Sequence, residues 1–436
     1  MSCVKANIYS IMNIDTVRGD RMKKIYSSID IGSDSVKMIV AELSHGKRNV
    51  LATSSVKSKG ISKGLITNME ETVTSIKRAV KEIEDMLGVK VDKVIACVPS
   101  YNAEYKMVQA SINILNEDKK VTGDHIAKLL KEAVYNNLPK GNEMIVTLPI
   151  EFYIDDSKPL RDPKGLLGDV LTVKAVMATT PKKNVYAVIT ALDRAGLECI
   201  DICFNSIGDY YEFKTPDTDS VVGAVVNIGE EMTEVSVFNR GIIVANKVIE
   251  LGAKSIDKDI AYIYNLEPLD CRETKEKFAF AHQQYANANE TYEILNDKKE
   301  QISINQHELS EIVMSRLLEI LKITKNDLKD LTNKPISYII VTGGITELPG
   351  FKAVVEEVYG KGISIGNIKT IGIRNNKFSS SAGIINYFIE KMELRGRNFS
   401  MFDQETEEDL VSTRKKVLNF PNDSMLGKVF GYFFDN

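Results

Sequence analysis

Ile25-Tyr26-Ser27-Ser28-Ile29-Asp30-Ile31-Gly32 reads as a β-strand closed by a glycine turn, leading into a second strand at Val36-Lys37-Met38-Ile39-Val40-Ala41. A turn at His45-Gly46-Lys47 precedes a third strand near Val50. The same layout returns from Val221. A strand over 221–228 leads to Gly229, Val235-Ser236-Val237-Phe238 follows, Asn239-Arg240-Gly241 turns, and 242–251 runs back. Ile29-Asp30-Ile31-Gly32 and Val226-Asn227-Ile228-Gly229 occupy equivalent places in the two copies. Two copies in register argue for a duplicated α/β fold with a ligand held between the halves. A glycine at each turn lets backbone N–H groups approach an anion, whereas one such turn alone is ordinarily structural.

A third glycine motif follows the β-rich run 336–342. Gly343-Gly344 ends it, and Ile345-Thr346-Glu347-Leu348-Pro349-Gly350-Phe351 leads into a helix. A diglycine permits close approach to a flat ligand face such as an adenine ring and its ribose; taken alone it is a turn.

The 436 residues exceed one ordinary core, which predicts two domains or one bilobed body. Hydrophobic content of 43% beside 27% charge fits a soluble globular chain. A net charge of -4, with no basic patch interleaved with aromatics, argues against nucleic-acid binding. Cys3, Cys97, Cys199, Cys203 and Cys271 are scattered without zinc or disulfide spacing and read as buried thiols of a reducing cytosol. No apolar run is long enough to span a bilayer.

Taken in order, the three motifs resemble the actin-like ATPase superfamily of actins, heat-shock chaperone ATPases and sugar kinases. Within it, the chain is similar over 25–436 to the FtsA family of bacterial cell-division proteins. Residues 30–37 match the first phosphate motif, 227–233 the second and 341–351 the adenosine motif; Ser379-Ser380-Ser381-Ala382-Gly383-Ile384 resembles the second connecting segment. Between the halves come a strand over 108–115, a helix from Val121 to about residue 136, and strands over 143–148 and 151–154. Asp162-Pro163-Lys164-Gly165-Leu166-Leu167-Gly168 then precedes a strand over 170–177, an order similar to the subdomain inserted in that family.

The resemblance implies an α/β, bilobed actin-like ATPase fold with two duplicated sheet-and-helix halves, an FtsA-type insert and a C-terminal amphipathic helix. It divides the chain into a first actin-like subdomain 25–107, completed by 178–214 and 372–395, and an insert 108–177. A second-half core 215–253, completed by 335–371, then carries a partner-binding subdomain 254–334, a tether 396–423 and a membrane-targeting helix 424–436. Residues 1–24 are expected to be disordered or an extension, with Met22 a more natural start.

The implied ligand is ATP with Mg2+. Asp30, Gly32, Ser33, Lys37, Asn227, Gly229 and Thr233 are the expected phosphate-side residues, and Gly343, Gly344, Ile345, Arg272 and Lys275 the adenosine-side ones. Lys37 would serve as a point charge, unless it merely faces solvent on its hairpin. No catalytic residue and no protein metal ligand is expected, and enzyme activity is at most weak ATP hydrolysis. The second phosphate motif departs from its family: Asn227 stands in place of an aspartate, and Glu230 and Glu231 in place of glycines. A neutral asparagine adds no charge around a magnesium ion, and two glutamates repel a triphosphate unless a cation intervenes. Arg272 likewise replaces the family's glutamate.

The helix 306–321 carries an apolar stripe of Leu309, Ile312, Val313, Leu317 and Ile320, and resembles the family helix that meets the C-terminal tail of the tubulin-like protein FtsZ. Arg316 is the candidate for an anionic group on that tail, with Glu319 beside it; an ordinary pair of Arg316 with Glu311 or Glu319 is the plain alternative. Self-association into actin-like filaments and contact with other division proteins are implied too. At the C-terminus, Met425, Leu426, Val429, Phe430 and Phe433 recur at helical spacing behind an Asp423/Ser424 cap. About ten residues give a helix of roughly 15 Å, half a bilayer core, so the segment can lie on an anionic membrane surface but cannot span it. The polar stretch 396–421 before it reads as a solvated tether. The expected location is the cytoplasmic face of the cell membrane at the division septum. A pilus-assembly or reactivating-factor relative and a sugar-kinase-type phosphotransferase are the competing expectations.

Overall fold

The computed structural model describes residues 24–44, 47–135, 137–155, 157–407 and 410. Most of the expected N-terminal extension, the last part of the expected tether, and the helix bearing Met425, Leu426, Val429, Phe430 and Phe433 lie outside the described residues.

Strands β1 (Lys24–Ile31), β2 (Ser35–Ser44) and β3 (Lys47–Lys57) form an antiparallel meander. A short ribbon of β4 (Ile61–Ser62) and β5 (Leu65–Ile66) leads to the helix Met69–Leu87. That helix starts where Asn68 accepts from the Glu71 N–H and stops at left-handed Gly88; it buries Val73, Ile76, Ala79, Val80 and Ile83 on one stripe. Strand β6 (Lys93–Val98) returns parallel to β1. The insert then supplies β7 (Glu104–Asn113), the helix Gly123–Tyr135, β8 (Asn142–Ile154) and β9 (Val170–Pro181), in the order β7-β9-β8. Strand β10 (Glu198–Phe204) closes the first sheet as β10-β6-β1-β2-β3.

The second half repeats the scheme. Strands β11 (Val222–Ile228), β12 (Thr233–Asn239) and β13 (Ile242–Ile249) form the meander, and a subdomain of helices with the hairpin β14 (Thr291–Leu295) and β15 (Gln301–Asn305) follows. Strands β16 (Tyr338–Thr342) and β17 (Ser364–Ile365) complete the order β13-β12-β11-β16-β17. In both sheets three antiparallel strands are extended by two parallel ones, so the duplication inferred from the two turns holds for whole sheets.

The helices Asn205–Phe213 and Ser379–Leu394 cross between the halves. A Cβ on Gly383 would stand 1.7 Å from the Gly208 carbonyl oxygen, and one on Gly208 would stand 2.4 Å from that of Ser380. Two backbones touch there, and only glycine allows it.

Three sequence expectations need correction. The strands expected over 143–148 and 151–154 are one strand, β8, whose register against β9 shifts after Met144 and after Pro149; proline has no N–H to donate, so the ladder is interrupted rather than ended. The helix expected over 306–321 runs on as Gln306–Leu331, because Thr324, Asp327 and Leu328 continue its buried stripe. The expected tether is not solvated from residue 396. Strand β6 registers with β1 only at Ser28 and Ile29, and the C-terminal stretch covers the uncovered start of β1. Ile25 N–H donates to Glu407 Oε1 at 3.2 Å, Ser27 N–H to Met401 Sδ at 3.1 Å, and the Tyr26 hydroxyl to the Phe399 carbonyl at 3.1 Å. Met401 and Leu410 are buried in the first half's core.

Candidate functional site

The two repeated turns and the diglycine converge on one cleft of about 430 Å³ between the halves. Gly32, Ser33, Lys37 and Asp30 face it from the first hairpin, Asn227 and Gly229 from the second, and Gly343, Gly344 and Ile345 from the loop after β16. Thr233 is the exception. It is fully buried in β12, its hydroxyl donates to the Leu251 carbonyl at 2.8 Å, and it does not line the cleft. Strand alternation points it into the second half's interior.

In the first hairpin Asp30 and Lys37 are directly opposed across β1 and β2, and their side chains pair at 2.8 Å with only 9% and 13% exposure. Lys37 is therefore not solvent-facing. Burial pushes its ammonium toward neutrality, and the Asp30 carboxylate outweighs that and raises its pKa. The other Asp30 oxygen accepts from Asn205 Nδ2 at 2.9 Å. At the turn, Ser33 Oγ accepts the Gly64 N–H at 2.7 Å, tying the β4–β5 ribbon to the loop.

The second hairpin is held from outside. Asn227 Nδ2 donates to buried Asp209 at 2.7 Å. Glu231 accepts from Lys254 at 2.6 Å and from the Lys63 N–H of the opposite half at 2.6 Å, and Glu230 lies 3.7 Å from Arg272. Each glutamate thus has a cation or a donor before any ligand arrives. Gly343, at φ 106, lies against the end of β11, where a Cβ would meet the Ile228 carbonyl oxygen at 2.2 Å. The diglycine is thereby pinned to the second hairpin.

Arg272 and Lys275 reach the cleft already engaged. Lys275, 2% exposed, pairs with Asp257 at 2.6 Å. Arg272 spans the cleft mouth, with Nη1 on Asp34 of the first hairpin and Nε on Glu276 at 2.9 Å. Burial pushes Asp34 up, but hydrogen bonds from Arg272 and Lys57 dominate and hold it far below the usual carboxylate range. Lys377 was not singled out in the sequence. It flanks Gly344, lies over the Phe378 ring at 5.3 Å, and has no carboxylate partner among the described residues. Burial, then Lys37 and then Arg272, lower its pKa, so three cations bear on one space. Among the described residues no cluster of three or more His, Cys, Asp or Glu is arranged for a metal ion.

A second, shallower groove lies between the helices Ala253–Tyr264 and Gln306–Leu331. Arg316 makes two bonds of 2.7 Å to Asp259 and a third to Glu319. The intrahelical pair weighed from sequence is therefore present, and Asp259 from the neighbouring helix completes it. Glu308 and Glu311 share the groove with exposed Tyr262 and Ile263.

Residues 224–383 match the family model described as cell division protein FtsA, and residues 103–179 match that of the SHS2 domain inserted in FtsA. The second match falls on β7 to β9. The chain belongs to the FtsA family. It is 26% identical over 398 residues to the cell division protein FtsA of Bacillus subtilis, covering 89% of this chain and 90% of that one. The Staphylococcus epidermidis FtsA is 28% identical, covering 89% and 85%. Among solved structures, a PilM–PilN type IV pilus biogenesis complex gives a TM-score of 0.56 at 14% identity, covering 84% of this chain and 98% of that one. MreB5 of Spiroplasma citri bound to ADP gives 0.51 at 12% identity, covering 85% and 98%. The fold is actin-like. Among the described residues no helix is long and apolar enough to cross a membrane.

Proposed function

We propose that this cell-division protein is an ATP-binding, filament-forming adaptor that tethers FtsZ filaments to the cytoplasmic face of the membrane at the septum and helps gather other division proteins there. The observation that carries the nucleotide half is the convergence of both hairpins and the diglycine on one cleft. Polyphosphate would lie against Gly32, Ser33 and Gly229, near Lys37, Arg272 and Lys377. Adenosine would lie along Gly343, Gly344 and Ile345, where glycine leaves room for the backbone to approach. ATP supplies a ligand whose binding couples the two halves. Mg2+ would be held through phosphate oxygens and water beside Asp30, which suits its reluctance to shed water. Asn227 is neutral and turned onto Asp209, so it neither charges nor activates a water, and turnover is slow. A titration with fluorescent ATP alongside phosphate release tests this. Saturable binding with little turnover is the expected result; rapid multiple turnover or no binding overturns it.

The FtsZ tail would dock in the groove at Arg316 and Glu319. That groove carries Asp259, Glu308, Glu311 and Glu319 against a single arginine, and reversing Arg316 is expected to weaken binding of an FtsZ-tail peptide while liposome binding is unchanged. The membrane contact is assigned to Val429, Phe430 and Phe433, each worth about 1.5–3 kcal/mol when buried. Arg414, Lys415 and Lys416 would add about 1 kcal/mol each near anionic lipid. One such helix is a weak anchor, and filament assembly multiplies it. Phe430→Asp with Phe433→Asp is expected to release the protein from liposomes without lowering its melting temperature. A pilus-assembly role is the second reading, favoured only by the fold likeness to the PilM–PilN complex; retention of the FtsZ-tail peptide separates the two.

A further inference from the structure

Asn205 and Asp209 stand one turn apart on the helix Asn205–Phe213, and each grips one of the two cleft hairpins. Asn205 Nδ2 donates to Asp30 at 2.9 Å, whereas Asp209 Oδ2 accepts from Asn227 Nδ2 at 2.7 Å. The other Asp209 oxygen accepts from Ser379 Oγ at 2.6 Å and Ser380 Oγ at 2.8 Å, at the start of the crossing helix. Asp209 is wholly buried, and a carboxylate removed from water requires donors such as these. Burial, opposed by the hydrogen bonds from Ser379, Asn227 and Ser380, raises its pKa to about 7.

The consequence for Asn227 is directional. A side-chain amide donates at one end and accepts at the other. With its nitrogen fixed on Asp209, its oxygen points toward the diglycine, where a Cβ on Gly343 would meet it at 3.0 Å. We propose that Asp209 is a positioning residue whose buried carboxylate orients Asn227 so that a neutral carbonyl oxygen, rather than a charge or an N–H, faces the ligand in the cleft. The negative charge on this side of the site is thereby kept one layer beneath its surface. The functional half of this proposal rests on the nucleotide reading; the pairing itself does not.

Exchanging the two side chains tests it. Asn227→Asp alone sets two carboxylates at the distance now spanned by one hydrogen bond. Adding Asp209→Asn restores that bond with donor and acceptor reversed, leaves the Ser379 and Ser380 hydroxyls an acceptor, and moves the charge to the cleft face. The parent, both single variants and the exchanged pair are melted without ligand and titrated with fluorescent ATP over a range of Mg2+. Measured at pH 8, above the raised pKa of Asp209, Asn227→Asp is expected to lower the melting temperature and weaken binding by about tenfold or more, because two facing carboxylates replace a donor and an acceptor. The exchanged pair is expected to recover both at millimolar Mg2+, and to lose affinity much more steeply than the parent as Mg2+ is withdrawn. The proposal is overturned if Asn227→Asp melts and binds like the parent, if the exchange recovers nothing, or if it shows the parent's Mg2+ dependence. A parent that binds no nucleotide would refute the nucleotide reading, while recovery of melting in the exchanged pair would still report the coupling of 209 with 227.

Discussion

The two cleft hairpins are built alike and held differently. The first carries an ion pair of its own: Asp30 and Lys37 face each other across β1 and β2 and are nearly sealed from water, while Asp34 at its turn is met by Arg272 from outside. The second borrows everything. Its Asn227 is fixed by Asp209, Glu230 is met by Arg272, and Glu231 is met by Lys254 and the Lys63 N–H. A duplicated backbone thus carries one hairpin with an internal ion pair and one whose charges are all met by other elements. Breaking the internal pair of the first should accordingly be felt mainly in folding, whereas changes in the second should be felt in ligand binding too.

The largest expected effect strikes what both hairpins share. Gly383→Val forces a side chain onto the Gly208 carbonyl, and denaturant unfolding should show a loss of ~3 kcal/mol or more; a near-parental midpoint would mean that the helices part readily. Next, Lys37→Met leaves Asp30 buried without its cation, at a cost of about 3 kcal/mol by the same measurement. A third effect depends on pH. The folded pKa of Asp209 is raised to about 7, above its unfolded value near 4, so its ionisation erodes stability as pH rises between those values. Relative to the parent, Asp209→Asn should therefore gain stability from pH 5 to pH 8, on the order of 1–3 kcal/mol; a constant difference would show that Asp209 does not titrate in that window. The smallest effect belongs to Lys254→Met, whose ammonium is half exposed: less than about 1 kcal/mol in unfolding, against a measurable change in ATP affinity once Glu231 loses its cation.

The architecture was legible because its signals are local. Strand alternation, a closing glycine and a repeat in register need only a dozen residues each, and Gly343 did end a strand as read. The helix from Gln306 outruns its apolar pattern because the stripe positions beyond Leu321 are taken by Thr324 and Asp327, polar residues buried with Leu328. The stretch after residue 396 has the sequence of a tether because polar residues outnumber apolar ones around Met401 and Leu410, and nothing in the sequence says that β1 lacks a neighbour there. The residues missed share one cause: Lys377 comes beside Gly344 in the cleft, and Asp209 meets Ser379 beneath it, only through the tertiary fold. Asp209 carried one weak sign, an aspartate beside Ile207, Tyr210 and Phe213 in a short helix that also buries Ser206 and Glu212.

The clasp of residues 398–407 on β1 also has a mechanical meaning. Any pull applied to the chain beyond Leu410 arrives first at this contact, and so at a central strand of the first sheet, ahead of the helix Ser379–Leu394. The Met401 and Leu410 side chains and the Glu407 carboxylate would act as a strain relief, yielding before tension could pry apart the crossing helices and disturb the cleft between the halves.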